Sequence, residues 1–540
     1  MGPLRAVCNA WAANFAKDFT SYSSQQDRAL LEELLNTVPA SAKCRSDCWD
    51  QRNVEISLQR LSTGKCSGPD GIMPELLKYA PLALATHLSL FFRACETHGF
   101  IPEELSNANI HPVPKAGKSP SEITSYRPIT IGSVTAKVFE ECIMRCYGHC
   151  MQSSELQFGF KAGTGTAQCS LAMKSIARHF VERGSVVYAA LLDATKAFDR
   201  ANYAKIFQQL LLRGVPASVV RLLYRWYAQT NVRVAWNGAT SSEAFGIEHS
   251  VRQGGLLSPI LFSLLYDSLL TRLRFSGIGC HINGQFVGTL AYADDVVLMA
   301  PSIQGLNKLL AICNKWSSEN HIQFNPQKSI AICLHGNRRR MAVNASLPVF
   351  IGETRIPTAT EVTHLGHVIS ADLTDSAEVF RIAKAYNRQF NAFFAKFHTL
   401  RDRGPLLPLY STFCSSFYGI ESVFPTLCST AAKKFLYKSV NLSLMKLMSL
   451  PRESISPFLI AEGVQNAETT WRIRSLHFWK SIHRSSFEGR IIFPPHKQHI
   501  QAIAREVGLG TLSMPSVLSL PRTQIAAQCL YTWQAAKILM

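Results

Sequence analysis

Tyr292-Ala293-Asp294-Asp295-Val296-Val297-Leu298-Met299-Ala300 sets two adjacent acids inside a run that is otherwise apolar. Neighbouring carboxylates repel, so the pair needs a physical reason to exist. Residues 290–293 and 296–299 read as two short buried strands, which places Asp294 and Asp295 at or beside a hairpin turn, where acids are tolerated. Two readings stand on these residues alone: a solvated Asp-Asp turn, or a pair whose repulsion a divalent cation relieves.

A second buried strand upstream separates them. Val186-Val187-Tyr188-Ala189-Ala190-Leu191-Leu192 carries no charge and ends at Asp193, where a strand of a packed sheet delivers a side chain into a cleft. Three acids can then meet. Carboxylate oxygens are hard ligands suited to Mg²⁺ or Mn²⁺. Two such ions hold the attacking and leaving oxygens in an in-line phosphoryl displacement.

Asp193-Ala194-Thr195-Lys196-Ala197-Phe198-Asp199, then Arg252-Gln253-Gly254-Gly255-Leu256-Leu257-Ser258-Pro259, then Tyr292-Ala293-Asp294-Asp295 follow one another in the chain. In that order they resemble the motifs of reverse transcriptases, and within them the type encoded by non-LTR (LINE-like) retrotransposons. The resemblance runs from about residue 61 to about residue 370. It implies an α/β (α+β) right-hand polymerase fold, with fingers and palm on a mainly antiparallel sheet and an α-helical thumb and C-terminal region after them. It also implies RNA-directed DNA synthesis, in which a DNA primer 3′-OH is extended with dNTPs on an RNA template. Asp193, Asp294 and Asp295 would hold two Mg²⁺ or Mn²⁺ ions.

The same resemblance supplies the remaining candidates. Phe198 matches a steric gate, a ring under the sugar that leaves no room for a 2′-OH; its other reading is a core phenylalanine. Gly254 and Gly255 carry no side chain, so a base pair can lie against backbone, and Gln253 can donate to the nucleotide. Lys115, in Pro112-Val113-Pro114-Lys115, and Arg127, in Tyr126-Arg127-Pro128-Ile129, stand where the family contacts the triphosphate. Proline holds both segments extended, and a guanidinium fork suits phosphate oxygens. Lys328 matches a lysine near the pyrophosphate leaving group, where it would donate a proton. His364-Leu365-Gly366-His367 resembles the hairpin that supports the primer strand.

The 540 residues are 47% hydrophobic, the composition of a globular protein with a sizeable core rather than a disordered tail. Lys and Arg number 56 against 37 Asp and Glu, and the net charge of +19 favours a polyanionic partner, nucleic acid first and an anionic membrane surface second. Arg5, Asn9, Asn14 and Lys17 interrupt every early apolar run, which excludes a signal-peptide core. No segment reads as a membrane span. The uncharged stretch 404–420 contains Pro405 and Pro408 and fits a buried helical region better. Fifteen cysteines without a secretory signal read as reduced thiols of an intracellular protein, and the resemblance adds action in the nucleus as well as the cytoplasm. Cys142, Cys146 and Cys150 share a helical face and, like Cys44 and Cys48, read as packing rather than metal ligands.

Along the chain, residues 1–60 read as an N-terminal helical extension, with Ser24 capping a helix that bears Leu30, Leu31, Leu34 and Leu35 and stops at Pro39. Residues 61–371 form the expected reverse transcriptase domain, entered through the turn Gly68-Pro69-Asp70-Gly71. Ser258 and Pro259 read as N-cap and first residue of a helix whose Leu261, Leu264, Leu265 and Leu269 are core. Arg338-Arg339-Arg340 reads as a basic loop. Residues 372–540 alternate apolar and basic stretches, among them Phe390, Phe393, Phe394 and Phe397 near Lys384, Arg388 and Lys396, as a thumb gripping a duplex requires. The 60 residues ahead of the domain are too few for a nuclease, and none is evident behind it. A fragment, an internal reading frame or a degenerate copy is therefore expected. Two other functions remain open: a non-catalytic nucleic-acid-binding relic, and a group II intron or retron polymerase.

Overall fold

The computed structural model describes residues 2–528 except 20–24, 38–46, 81, 116, 248, 253, 337–346, 401–404, 415–416, 451–465, 485–492, 507–508, 510–513 and 526–527. Ser24, Pro39, Cys44, Gln253 and the Arg338-Arg339-Arg340 run lie outside the described residues. The chain divides into two compact units, each built from separate stretches. One comprises Met1–Phe160, Ala194–Phe275 and Ile312–Asn325, the other Lys161–Asp193, Ser276–Ala311 and Pro326–Met540.

In the first unit, Ala108–Pro114 pairs antiparallel with Tyr126–Gly132 and, through residues 108–110, parallel with Asn231–Trp236. Pro112 and Pro114 fall beyond the parallel pairing, where the strand needs no second row of N–H donors. The N-terminal helix Gly2–Phe19 buries Cys8, Trp11, Phe15 and Phe19, spaced as one helical face. Trp11 meets Tyr126 and Trp236 edge-on at 5.1 Å each, so this helix belongs to the unit's core. Helix Gln25–Thr37 buries Leu31 and Leu35 but leaves Leu30 and Leu34 exposed. Cys142 and Cys146 are buried on Val134–Tyr147, and burial pushes the Cys142 thiol up to about 12, as packing residues require. Helix Ser258–Phe275 begins on Ser258 itself rather than after it, with Leu261, Leu264, Leu265 and Leu269 all buried.

The second unit is organised on a four-stranded sheet in the order Thr289–Tyr292, Asp295–Ala300, Val187–Leu192, Ile330–Leu334, every neighbour antiparallel. Val296 to Ala300 are all buried, which explains the unbroken apolar run. Helix Thr166–Glu182 packs on this sheet and is buried along most of its length. Its two buried cations therefore need a partner. Lys174 Nζ lies 2.8 Å and Arg178 Nη2 3.5 Å from the Asp375 carboxylate, which also accepts the Phe424 N–H at 3.2 Å. Burial alone would raise the Asp375 carboxyl, but the two cations hold it below its ordinary value.

Beyond the sheet, Glu361–His364 and His367–Ser370 form a hairpin whose turn residues Leu365 and Gly366 both have positive φ, the I′ geometry. Helices Ser376–Phe397 and Thr430–Met448 then lie side by side and run in the same direction, since Phe380 meets Phe435, Asn387 meets Ser439 and Phe394 meets Lys446. Phe390 and Phe393 are core; Phe394 and Phe397 are partly buried against it. The aromatic face is thus largely packing. Within 404–420, helix Leu406–Cys414 buries Leu406, Tyr410 and Cys414. No described helix is long and apolar enough to cross a membrane.

Candidate active site

The strand pairing places the three acids. Tyr292 pairs with Asp295, so Ala293 and Asp294 are the two turn residues of a tight hairpin. Ala293 has φ 57°, a left-handed conformation that an alanine adopts only under constraint from its surroundings. On the other side of Asp295–Ala300, Leu192 pairs with Val296. One residue further, Asp193 falls opposite Asp295, and directly opposed antiparallel residues project from the same face. Asp193, Asp294 and Asp295 are thereby gathered at one end of one sheet.

Their electrostatics follow from that gathering. Burial and then the Asp294 and Asp193 carboxylates push the Asp295 carboxyl up to about 7, although the residue as a whole is exposed. The Asp294 carboxyl is raised by burial and by Asp193, against a lowering contribution from its own N–H. No salt bridge among the described residues neutralises any of the three. Three hard oxygen donors that repel one another suit a divalent cation. Among the described residues no three His, Cys, Asp or Glu side chains close around a metal by themselves.

Two further residues join this sheet end. Ile330–Leu334 lies on the other edge of Val187–Leu192, and the buried Ser329 just ahead of it accepts the Asp193 N–H at 3.2 Å. Lys328 precedes Ser329 and is exposed in the turn, which carries the ammonium to the same end of the sheet. Nothing in the sequence marked Ser329 beyond its place after Lys328. Tyr292, half-buried, has its phenol raised by burial and by the neighbouring Tyr418 and Cys169.

The remaining candidates lie in the first unit. Arg127 is exposed on Tyr126–Gly132, opposite Val113. Lys115 is half-buried and its Nζ donates to the Thr124 carbonyl at 2.9 Å, so it braces the loop that leads to Arg127. Its ammonium is lowered by burial and then by Arg127, with Asp199, Lys196 and Asp18 also within range. Lys196, three residues past the first acid, pairs with Asp18 of the N-terminal helix at 2.6 Å. Nothing in the sequence singles out that cation.

Phe198 is half-buried, its ring stacked on Phe262 at 3.9 Å and met edge-on by Phe160 at 6.0 Å. Gly254, at φ 136°, approaches the backbone of Tyr126–Gly132 so closely that a Cβ would lie 2.2 Å from the Thr130 carbonyl oxygen. The glycine is needed first for protein against protein, whatever it offers a base pair. Arg252, quoted in the motif without a role, is buried: it donates to Thr230 Oγ1 at 2.6 Å and lies 4.5 Å over both Trp226 and Tyr227. The buried Glu140 carboxylate accepts the Leu256 N–H at 2.7 Å. Together they anchor the backbone at Arg252 and at Leu256, on either side of Gly254 and Gly255.

Residues 113–369 match the family model for reverse transcriptase (RNA-dependent DNA polymerase). That segment is therefore a reverse transcriptase domain, and it holds Asp193, Asp294, Asp295, Lys115, Arg127, Phe198, Gly254 and Lys328. The chain is 28% identical over 307 residues to the Pol polyprotein of the type-2 retrotransposable element R2DM of Drosophila melanogaster, covering 56% of this chain and 28% of that protein. It is 23% identical over 388 residues to the RNA-directed DNA polymerase from the mobile element jockey of the same species, covering 70% of this chain and 41% of that protein. The segment is thus similar to polymerases of non-LTR retrotransposons. The chain spans less than half the length of either. A telomerase from Candida tropicalis, solved with a TWJ fragment of telomeric RNA, aligns at 13% identity and a TM-score of 0.39 over 76% of this chain and 67% of that one, a likeness too remote to bear on the reading.

Proposed function

We propose that the chain is an RNA-directed DNA polymerase that extends the 3′-OH of a DNA primer on an RNA template with dNTPs, by in-line attack on the α-phosphate. The observation that carries this reading is the convergence of Asp193, Asp294 and Asp295, without a neutralising side chain among the described residues, at one end of the Val187–Leu192 sheet. Two divalent ions, Mg²⁺ or Mn²⁺, held by these carboxylates would stabilise charge on the attacking and leaving oxygens. The protein's own part is to hold the acids in register: Ser329 fixes the backbone at Asp193, and the Ala293 turn fixes Asp294 against Asp295. Arg127 is assigned to the triphosphate, with Lys115 bracing it, Phe198 to exclusion of a 2′-OH, and Lys328 to protonation of the leaving pyrophosphate. Residues 372–540 are assigned to the thumb, and target DNA in the nucleus is the expected place of action. The test is extension of oligo(dT) on poly(rA) with and without Mg²⁺. Incorporation of dTTP that depends on the ion supports the reading; none under any divalent ion rejects it.

A further inference from the structure

Tyr418 stands outside the reverse transcriptase segment, yet four contacts fix it beside the hairpin 361–370. Its ring stacks on the His367 imidazole, centroids 5.2 Å apart and planes 25° from parallel. Its hydroxyl shares a hydrogen bond with the Thr166 hydroxyl. Its carbonyl accepts from Arg381 Nη2 at 2.8 Å, and the same guanidinium lies 5.9 Å from the ring centroid. Arg381 is itself held by two bonds of 2.7 Å to the buried Glu378 carboxylate.

Glu378 also receives the Val368 N–H at 2.8 Å and lies 3.1 Å from His367 Nδ1, so the hairpin, the start of helix Ser376–Phe397 and Tyr418 share one anchor. The other side of the hairpin is tied to helix Thr166–Glu182, where Ser170 Oγ lies 3.0 Å from His364 Nδ1. The local backbone is shaped for this arrangement. Gly419 has φ 93°, and a Cβ there would lie 2.7 Å from His367 Cε1; a Cβ on Gly366 would lie 3.6 Å from Tyr418 Cε1.

For all this fixing, Tyr418 remains 50% exposed. A half-exposed ring held at its face, hydroxyl and carbonyl has already lost the freedom that binding would otherwise cost it. It borders the turn Leu365-Gly366, and through Thr166 it is tied to the helix that packs against Thr289–Tyr292, the strand that leads into the acidic turn. Aromatic surfaces of this kind take a nucleotide by stacking on its base or packing on its sugar.

We propose that Tyr418 is a positioning residue for the 3′-terminal nucleotide of the DNA primer, and that the Glu378, Arg381 and His367 cluster exists to hold its ring in place. This rests on the polymerase reading above. The test uses the full chain and an RNA template annealed to a DNA primer whose last residue is 2-aminopurine. Fluorescence of that residue reports seating of the primer end without turnover. Tyr418→Ala should abolish the fluorescence change, raise KM for primer-template about tenfold and leave KM for dNTP unchanged. Tyr418→Phe keeps the ring and should stay within about twofold of the parent on each measure. Should Tyr418→Ala fail to fold, Tyr418→Leu keeps bulk over His367 and should show the same split. An unaltered fluorescence change in a folded Ala or Leu variant overturns the proposal, and so does a Phe variant as impaired as Ala, which would make the Thr166 bond the whole effect. A parent chain that seats the primer end but never extends it contradicts the polymerase reading and leaves this assignment standing.

Discussion

Asp295 holds its proton more tightly in the folded chain than its ordinary value of 3.8, up to about 7. Between about pH 4 and pH 7 the folded state therefore binds more protons than the unfolded one, and stability of the ion-free protein falls as pH rises through that window. The melting temperature of EDTA-treated protein should drop from about pH 5 to pH 8. Asp295→Asn should flatten that drop, and Mg²⁺ at pH 8 should stabilise the parent more than the variant. A variant with the parent's pH dependence would place the strain elsewhere. Phe198 is the second residue-scale test. Because it stacks on Phe262 and is half-buried, Phe198→Ala should cost about 2 to 3 kcal/mol, below the 3 to 5 of a fully buried ring. In the folded fraction, the dNTP over rNTP ratio of kcat/KM should fall through better rNTP use. Denaturation together with that ratio separates packing from sugar selection.

At the scale of elements, the hairpin around Asp294 and the strand before Asp193 were legible because strand burial is written in uninterrupted apolar runs and the turn in two acids. What supports them was not, since Ser329 reaches Asp193 only through the pairing of Ile330–Leu334 with Val187–Leu192, a contact between distant segments. Arg252 was equally opaque: an arginine in a polar motif gives no sign that it will be buried over Trp226 and Tyr227. The glycine pair was expected to let a base pair lie against backbone; the close approach that the fold shows is that of Gly254 to Thr130. Gly254→Ala should therefore destabilise the chain by more than about 1 kcal/mol, measured by chemical denaturation, through both its φ of 136° and the clash with the Thr130 carbonyl. A neutral substitution would mean that the loop relaxes freely and that Arg252 and Glu140 do not fix it.

At the scale of the molecule, the excess of positive charge is partly concentrated on one pair of helices. Ser376–Phe397 and Thr430–Met448 expose Lys384, Arg388, Lys396, Lys434, Lys438 and Lys446, while the one acid on either helix, Glu378, is buried. If this face tracks a nucleic-acid backbone, Lys434→Ala with Lys438→Ala should weaken binding of a primer-template alike for all sequences and reduce the slope of log K against log salt by about 1 for each cation removed. An unchanged slope would assign the face to solvent. The assembly of each unit from separate stretches, by contrast, left no mark in composition or periodicity, because it depends on which distant segments pack within a unit.

The central claim is that the three converging acids catalyse copying of RNA into DNA. Its most direct test is single-turnover extension of a DNA primer on an RNA template in Mg²⁺, comparing the parent with Asp294→Asn, alongside binding of the same primer-template. The account predicts extension by the parent and a loss of orders of magnitude in the variant, with binding and folding retained, because only the charge that organises the ions is removed. Equal extension by both chains would contradict it.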